Sequence, residues 1–321
     1  MKKIGILTSG GDSSGMNAAI RSVVSTALQN GIAVTGFIQG FQGLIENKFT
    51  ELDMTAVDGI IQRGGTVLRS ARCLEFKSDW GQRTSLENIE KDGIEGMVVI
   101  GGDGSLHGAQ VLHDLGVAVI GIPASIDNDI YGTDMAIGVD TALNTIVHAV
   151  DSLRDTASSH DRAFILEVMG RSSGYLAFTS GIACAAEAVI IPEVPYNLEV
   201  IGDRLLEAKR RGKTNSIVIV AEGAASAYAV EMKLKSFAGF ETRITVLGHL
   251  QRGGEPTVFD RILATRLGAA AVKRLNAGER GTMVGHIKNE IVSTPFNEVF
   301  ANKKVLEEKS IAQARVLAGG Q

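Results

Sequence analysis

Cysteine is nearly absent from this chain, since Cys73 and Cys184 are the only two among 321 residues. Two thiols so far apart supply neither a disulfide framework nor the paired spacing of a zinc site. The six histidines are scattered and form no H-E-x-x-H motif, which argues against a metalloprotease centre. Free thiols of this kind favour a reducing, cytoplasmic location.

Long apolar runs and an excess of positive charge are also missing. No uninterrupted stretch of about 18 apolar residues occurs, so we expect no transmembrane helix. The apolar run near the N-terminus is too short for a signal peptide. A net charge of −4 implies no broad basic face, and nucleic acid is therefore not an expected partner.

Proline is scarce and glycine is abundant. The chain has five prolines and 38 glycines, and glycine thus makes up about 12% of the residues against a usual ~7%. Glycine spread among apolar runs, with little proline, indicates many tight strand-to-helix turns rather than disorder.

Short apolar runs alternate with segments of helical periodicity. The runs predicted as strands are Lys3–Leu7, Ala33–Ile38, Gly96–Ile100, Val117–Ile122, Ala163–Val168, Ala188–Ile191 and Ser216–Ala221. Apolar spacing of three and four residues predicts helices over Gly15–Asn30, Leu143–Leu153 and Leu263–Leu275. Strands that are apolar throughout and separated by helices predict an α/β fold with parallel sheets covered on both faces.

Four glycine-rich or polar clusters each follow a predicted strand, where parallel sheets bind their ligands. They are T-S-G-G-D-S-S-G at 8–15, G-G-D-G-S at 101–105, P-A-S-I-D-N-D at 123–129 and M-G-R-S-S-G at 169–174. The first two suit phosphate, because glycine lets the backbone approach closely and a helix N-terminus follows. Neither matches the P-loop or the dinucleotide fingerprint, so a nicotinamide oxidoreductase is not expected.

Three aspartates of the second and third clusters are candidates for a chemical role. Asp103 would repel phosphate unless a Mg²⁺ ion lay between them; alternatively, it caps the following helix. Asp127 and Asp129 flank Asn128 after a strand. A carboxylate near a phosphate site can take the proton of an attacking hydroxyl, and the alternative is an ordinary turn. We favour Asp127 as a base and Asp129 as a turn residue.

Basic residues accompany the same clusters. Arg171 lies in the fourth cluster, Arg162 lies at a strand entrance, and Arg243, His249 and Arg252 fall within ten residues of one another. Arginine binds phosphate through two parallel hydrogen bonds, which suits a phosphorylated substrate. Taken singly, each arginine could be a solvated surface charge and His249 a core histidine.

Five motifs, in this order and spacing, resemble the bacterial ATP-dependent 6-phosphofructokinase family: L-T-S-G-G-D-x-x-G-M-N, G-G-D-G-S, I-D-N-D, V-M-G-R and L-G-H-x-Q-R-G-G. The resemblance extends to about Leu275, and the segment from Asn276 onward is assigned no role. It implies two Rossmann-like three-layer α/β/α domains with mainly parallel sheets. Residues 1–138 with about 251–301 would bind nucleotide, and about 139–250 with 302–321 would bind sugar phosphate.

The resemblance implies phosphorylation of fructose 6-phosphate at its 1-hydroxyl by ATP, in glycolysis, with Mg²⁺ on Asp103. Asp127 would be the base and Arg171 would steady the transferred phosphoryl group, in a catalytic set of Gly11, Arg72, Ser125, Asp127 and Arg171. ATP would contact Gly11, Arg72, Cys73, Gly102, Asp103, Gly104, Ser105 and Gly108. The sugar phosphate would contact Ser125, Asp127, Arg162, Met169, Gly170, Arg171, Glu222, Arg243, His249 and Arg252.

Assembly, regulation and donor choice are implied in the same way. The family forms homotetramers in which a neighbouring subunit supplies Arg162 and Arg243. The positions that match its effector site are Arg21, Arg154, Glu187, Arg211 and Lys213, whereas Ser25 and Met54 stand where arginine is usual. We therefore expect weak or altered regulation by ADP and phosphoenolpyruvate. Pyrophosphate-dependent relatives usually carry Asp and Lys where this chain has Gly104 and Ala124, which favours ATP.

Two other functions remain open from the sequence. One is a pyrophosphate-dependent or differently sugar-specific kinase of the same family. The other is a catalytically silent nucleotide-binding regulator, against which the presence of Asp103, Asp127 and Arg171 argues.

Overall fold

The computed structural model describes residues 1–158, 162–213, 215–238 and 242–317. Within these residues the strands, in chain order, are β1 (Lys3–Ser9), β2 (Ala33–Phe37), β3 (Phe49–Glu51), β4 (Gly96–Gly101), β5 (Val119–Pro123), β6 (Arg162–Val168), β7 (Ala188–Ile190), β8 (Asn215–Ala221), β9 (Thr242–Val246), β10 (Thr282–Ile287) and β11 (Glu290–Pro295).

The helices alternate with these strands along the described chain. They are α1 (Met16–Gln29), α2 (Phe41–Ile45), α3 (Asp79–Lys91), α4 (Asp103–Asp114), α5 (Val139–Ser158), α6 (Tyr175–Ala183), α7 (Leu198–Arg210), α8 (Ala227–Ala238), α9 (Val258–Asn276), α10 (Phe296–Ala301) and α11 (Glu308–Leu317). Two short 3₁₀ turns cover Glu75–Lys77 and Gly248–Arg252. No described helix combines the length and apolar character that a membrane span requires.

The first compact unit contains Met1–Ser125, Asp129–Thr141 and Arg252–Lys304. Its sheet has the strand order β11-β10-β5-β4-β1-β2-β3. The five central strands pair in parallel, and the edge strands β3 and β11 pair antiparallel to their neighbours. Short antiparallel edges on a parallel sheet are common in α/β domains.

Both faces of this sheet are buried, as β4 illustrates. Val98 and Ile100 point into a core shared with α1 and α9, whereas Met97 and Val99 point into a second core shared with α2 and α4. Alternate residues of a strand face opposite sides of the sheet. A strand that is apolar throughout therefore requires helices on both sides, as the sequence predicted.

The second compact unit contains Ile126–Asn128 and the described residues of Ala142–Gln251 and Val305–Gln321. Its four strands are parallel, in the order β7-β8-β6-β9. One face of this sheet packs on α7 and α8. The α/β class with mainly parallel sheets is thus confirmed, while the assignment of nucleotide to one domain and sugar phosphate to the other stays a prediction.

The segment after Asn276, to which the sequence assigned no role, completes the first sheet. Strand β10 pairs in parallel with β5, and β11 folds back on β10 as an antiparallel hairpin. The hairpin turn places Lys288 and Asn289 at positive φ. Strand β10 is as long as β4 but contains Thr282, Gly285 and His286, so its sequence lacks the continuous apolar run that marks β4.

A buried carboxylate anchors the start of α5 within the first unit. Asp260 is fully buried, and its Oδ1 accepts the backbone N–H of Gly138 at 2.9 Å. Its Oδ2 accepts the backbone N–H of Thr141 at 2.8 Å and the Thr141 hydroxyl at 2.6 Å. A carboxylate that accepts the free N–H groups of a helix start stabilises that start.

Burial raises the pKa of Asp260 to about 6, against the opposing effect of its hydrogen bonds to Thr141 and Gly138. Because this pKa exceeds the ordinary value of 3.8, the folded state binds the proton more tightly than the unfolded state. The stability contribution is therefore full below the unfolded value and is lost as the pH rises through about 6.

We expect Asp260→Asn to remove this pH dependence. The free energy of unfolding of the wild type, relative to that of the variant, should fall by about 2 kcal/mol between pH 4.5 and 7.5. Urea unfolding across that range measures it, with Asp203→Asn on the exposed side of α7 as the control. A difference between wild type and Asp260→Asn that is the same at both pH values would contradict the assignment.

Candidate active site

The two predicted phosphate turns lie side by side in the first unit. Strands β1 and β4 are neighbours, and Ser9 is paired with Gly101 at their carboxyl ends. Gly10 follows β1 with a φ of 82°, and a β-carbon on it would lie 3.1 Å from Ser105 Oγ. The turn before α1 and the turn before α4 therefore form one surface of backbone groups, of the kind that binds anions.

Two glycines of the G-G-D-G-S turn differ in the space around them. A β-carbon on Gly101 would lie 2.5 Å from the Ser9 carbonyl oxygen, so the close approach of the two turns requires glycine there. A β-carbon on Gly104 would meet no described atom within 4 Å. Gly104 therefore faces open space that a ligand can occupy.

Asp103 is the first helical residue of α4 and does not cap it. Gly102 occupies the N-cap position, and within the described residues no side chain accepts a hydrogen bond there. The Asp103 carboxylate is exposed, and its Oδ2 lies 3.5 Å from Nδ1 of His107. The sequence alternative of a helix cap is therefore wrong, although a negative charge in the first turn still favours the helix.

The surroundings of Asp103 suit a magnesium ion. Mg²⁺ keeps several waters and is commonly held by one or two carboxylates together with substrate phosphates. Among the described residues no group of three or more His, Cys, Asp or Glu side chains could hold a metal. An exposed carboxylate beside an anion-binding turn fits an ion that arrives with the phosphates.

The remaining residues predicted for ATP lie in the same unit. Arg72 is exposed, and Cys73 is half-buried with Sγ 3.8 Å from Glu75 Oε2. Burial raises the pKa of the Cys73 thiol, so the neutral thiol is favoured. Gly108 is buried, and a β-carbon on it would lie 2.5 Å from the Phe41 ring. A larger residue at this position would therefore clash with that ring.

Arg252 lies against the first glycine turn. Its NH1 donates to the Asp12 carbonyl oxygen at 3.3 Å, and a β-carbon on Gly11 would overlap the guanidinium. Both residues belong to the first unit. The sequence predicted Arg252 as a 6-phosphate ligand, and this placement beside Gly11 was not visible from the motif.

The second unit brings Asp127 and Arg171 together. Asp127 is buried with 5% of its surface exposed, whereas the Arg171 side chain is 67% exposed. Arg171 Nε lies 3.6 Å from Asp127 Oδ2. The two side chains therefore form a close pair of opposite charges, one buried and one accessible to a ligand.

The backbone of the M-G-R-S loop is held by Glu222. Its Oε1 accepts the N–H of Gly170 at 3.2 Å and the N–H of Arg171 at 2.9 Å. Arg171 has a φ of 51°, a left-handed conformation that costs an arginine free energy and persists only where neighbours enforce it. A β-carbon on Gly223 would lie 1.7 Å from the Arg171 carbonyl oxygen. Glu222 and Gly223 together fix the strained loop.

Gln251 also supports this loop, although the sequence analysis assigned no role to it. It is 1% exposed, and its Oε1 accepts the Met169 N–H at 3.2 Å while its Nε2 donates to Gly248 O at 3.0 Å. It is the fifth residue of the motif L-G-H-L-Q-R-G-G. The signal that could have identified it is a polar residue amid the turn, but its partner is 82 residues away.

The other residues predicted to bind the sugar phosphate lie on β6, on β9 and in the segments that follow β5 and β9. Arg243 is exposed on β9, where its NH1 donates to the Thr242 carbonyl at 3.1 Å, and His249 is exposed. Arg162 begins β6, next to β9, but its side chain lies outside the described residues. In the first unit, a β-carbon on Gly102 would lie 3.6 Å from Ser125 Cβ, which brings Ser125 to the G-G-D-G-S turn.

The predicted effector residues of the second unit already contact protein groups. Arg154 donates to the carbonyl oxygens of Cys184 and Ala185, Lys213 pairs with Glu187, and Arg211 pairs with Glu207 at 3.0 Å. Arg21 lies in α1 of the first unit and is half-buried. The weak regulation expected from the sequence stays a prediction.

Comparison with known proteins identifies relatives over nearly the whole chain. The family model described as phosphofructokinase matches residues 3–275. An ATP-dependent 6-phosphofructokinase of Thermotoga neapolitana is 52% identical over 319 residues, which cover 99% of this chain and 100% of that protein. One of Halalkalibacterium halodurans is 51% identical over 96% of each chain.

Solved structures give the same fold. Phosphofructokinase from Saccharomyces cerevisiae superposes with a TM-score of 0.89 at 36% identity, over 94% of this chain and 45% of that chain. A pyrophosphate-dependent phosphofructokinase from Marinobacter aquaeolei gives a TM-score of 0.86 at 22% identity, over 100% and 92%. At that identity the second likeness bears on the fold alone.

Proposed function

This chain belongs to the phosphofructokinase family, and on that premise we propose that it transfers the γ-phosphoryl group of ATP to the 1-hydroxyl of fructose 6-phosphate. The products are fructose 1,6-bisphosphate and ADP. The observation that carries the proposal is the Asp127–Arg171 pair, in which a buried carboxylate lies 3.6 Å from an exposed guanidinium. Glu222 holds the loop that carries Arg171. The relatives named as ATP-dependent, at about 50% identity, support the donor.

The turns of the first unit bind the nucleotide in this proposal. Gly11, Gly102, Gly104 and Ser105 present backbone groups to the phosphates, and the start of α4 adds its partial positive charge. Arg72 supplies a further cation. Asp103 would hold Mg²⁺, which supplies positive charge to the phosphates when it is bound.

The second unit carries the proton transfer. Asp127 takes the proton of the 1-hydroxyl, and the freed oxygen forms a bond to the γ-phosphorus as the bond to the β–γ bridging oxygen breaks. Arg171 stabilises the charge that develops on the transferred group. The 6-phosphate is bound by Arg162, Arg243, His249 and Arg252, and the sugar contacts Met169, Gly170 and Glu222. The enzyme acts in the cytoplasm as a homotetramer, in which a neighbouring subunit supplies Arg162 and Arg243.

A donor and acceptor comparison tests this function. Purified protein is assayed by coupled ADP or phosphate release with ATP or pyrophosphate as donor and with several sugar phosphates as acceptor. We expect turnover with ATP and fructose 6-phosphate to exceed every other pair. Preference for pyrophosphate would replace the donor in the proposal, and binding of ATP without any sugar-dependent turnover would favour the silent regulator.

Gly104→Asp is expected to weaken ATP binding selectively. The new side chain fits the open space at this position, so folding should persist, but its charge would repel the α-phosphate. We expect the KM for ATP to rise about tenfold, equivalent to ~1.4 kcal/mol, with the KM for fructose 6-phosphate unchanged. Gly104→Ala is the control, and an equal effect of both variants would show that charge at this position does not matter.

A further inference from the structure

Lys304 follows α10 at the end of the first unit and contacts the segment that comes directly after Asp127. Its Nζ donates to the Asp134 carbonyl oxygen at 2.6 Å. Lys304 is half-buried, whereas its neighbour Lys303 is exposed. The half-buried ammonium thus contacts a backbone carbonyl 170 positions away in the sequence, and this contact joins two distant parts of the chain.

The other side of this segment is fixed by the β10–β11 hairpin. Asp134 N donates to the His286 carbonyl at 2.7 Å, and its Oδ2 accepts the Lys288 N–H at 2.7 Å. Thr133 Oγ1 donates to Met135 O at 2.8 Å. The hairpin therefore holds the segment at Asp134 through one backbone and one side-chain hydrogen bond, and Lys304 adds a charged contact at the same residue.

The charge of Lys304 depends on its surroundings. Burial lowers the pKa of Lys304 to about 8, while the carboxylates of Asp134 and Asp129 act in the opposite direction and favour the ammonium form. Asp129 stands two residues after Asp127 in the chain. The ammonium therefore interacts with both ends of the 129–134 segment, and the first of these ends adjoins the residue that we propose as the base.

We propose that Lys304 is a positioning residue that fixes the 129–134 segment and thereby sets the orientation of Asp127 for proton abstraction. This inference rests on the proposed function. It gives a role to the part of the chain after Asn276, whose sequence resembles no functional motif. Misplacement of a reacting group by even about 1 Å can lower a rate up to 10²-fold, so loss of a contact on the segment that follows the base in the chain should lower kcat more than it weakens substrate binding.

The test compares Lys304→Met and Lys304→Arg with Lys303→Met as a matched control on the adjacent exposed lysine. At pH 7.5 we expect Lys304→Met to lower kcat by about tenfold, with both KM values within about twofold of wild type. Lys304→Arg keeps a positive charge and should recover most of the lost kcat. Lys303→Met should match the wild type. Circular dichroism and thermal melting of each variant report whether it is folded.

The pH profile separates positioning from a structural role. The wild-type kcat should fall with a midpoint near pH 8 as Lys304 loses its proton, and this decline should be absent from Lys304→Met and shifted above pH 9 in Lys304→Arg. If Lys304→Met matches Lys303→Met in kcat, or if all variants share the wild-type alkaline decline, the inference is overturned while the proposed function stands. A wild type without sugar-dependent turnover overturns both. Should Lys304→Met fail to fold, the wild-type and Lys304→Arg profiles decide by themselves.

Discussion

Asp127→Asn is expected to lower kcat by roughly 10²- to 10⁴-fold, the range that a general base contributes. An amide of nearly the same size cannot take the proton of the sugar hydroxyl. Asp127 is buried and 3.6 Å from Arg171, so the amide fills the same space while losing the charge. The KM values for ATP and fructose 6-phosphate should change far less than kcat, because the lost interaction is made with the reacting proton.

The matched control for this variant is Asp203→Asn, an exposed carboxylate on α7 in the same unit. Steady-state kinetics of both proteins, with circular dichroism to confirm folding, give the comparison. A folded Asp127→Asn protein whose kcat stays within threefold of wild type would remove Asp127 from the mechanism.

Arg171→Met is expected to lower kcat by about 10²-fold or more, as does the loss of one well-placed donor of positive charge in other enzymes. The Arg171 side chain is exposed, and its backbone is fixed by Glu222 and Gly223. The loop should therefore keep its shape when the guanidinium is lost. Arg171→Lys should recover part of the activity, because a lysine keeps the charge and loses the planar array of donors.

The control here is Arg210→Met, an exposed arginine at the end of α7 whose nearest carboxylate, on Glu207, is 3.9 Å away. Single-turnover kinetics with saturating substrates separate the chemical step from binding. If Arg171→Met raises the KM for fructose 6-phosphate and leaves the chemical step unchanged, Arg171 acts in binding rather than in charge stabilisation.

Much of the fold could be predicted because its signals are local. A strand buried on both faces needs a continuous apolar run, and β4 and β8 have such runs. The glycine turns after β1 and β4 could likewise be recognised, since the residues that determine a tight turn before a helix are adjacent in the sequence. Because β1 and β4 pair in parallel, the two turns lie side by side in the folded chain.

The contacts that the sequence could not supply are those between distant segments. Strand β9 carries Arg243 amid threonines, and β10 carries a glycine and a histidine, so neither has the pattern of a central strand. Gln251 reaches Met169, and Lys304 reaches Asp134. Each of these side chains would be an ordinary polar residue in its local sequence, and only the folded chain gives it a partner.

The local sequence around Asp103 does not distinguish a helix cap from a metal ligand. An aspartate before a helix is as typical of a cap as of a metal ligand. Whether Asp103 caps α4 depends on a one-residue difference in where the helix begins, because Gly102 occupies the N-cap position and Asp103 is the first helical residue. Helix boundaries predicted from sequence are rarely accurate to one residue.

The most direct test of the proposed chemistry is a crystal structure of this protein with fructose 6-phosphate, Mg²⁺ and a non-hydrolysable ATP analogue. The account predicts that a carboxylate oxygen of Asp127 lies within about 3.2 Å of the sugar 1-hydroxyl, with the phosphates of the analogue on the Gly11 and Gly102 turns. A bound sugar whose 1-hydroxyl points away from Asp127, with no ordered water joining them, would contradict it.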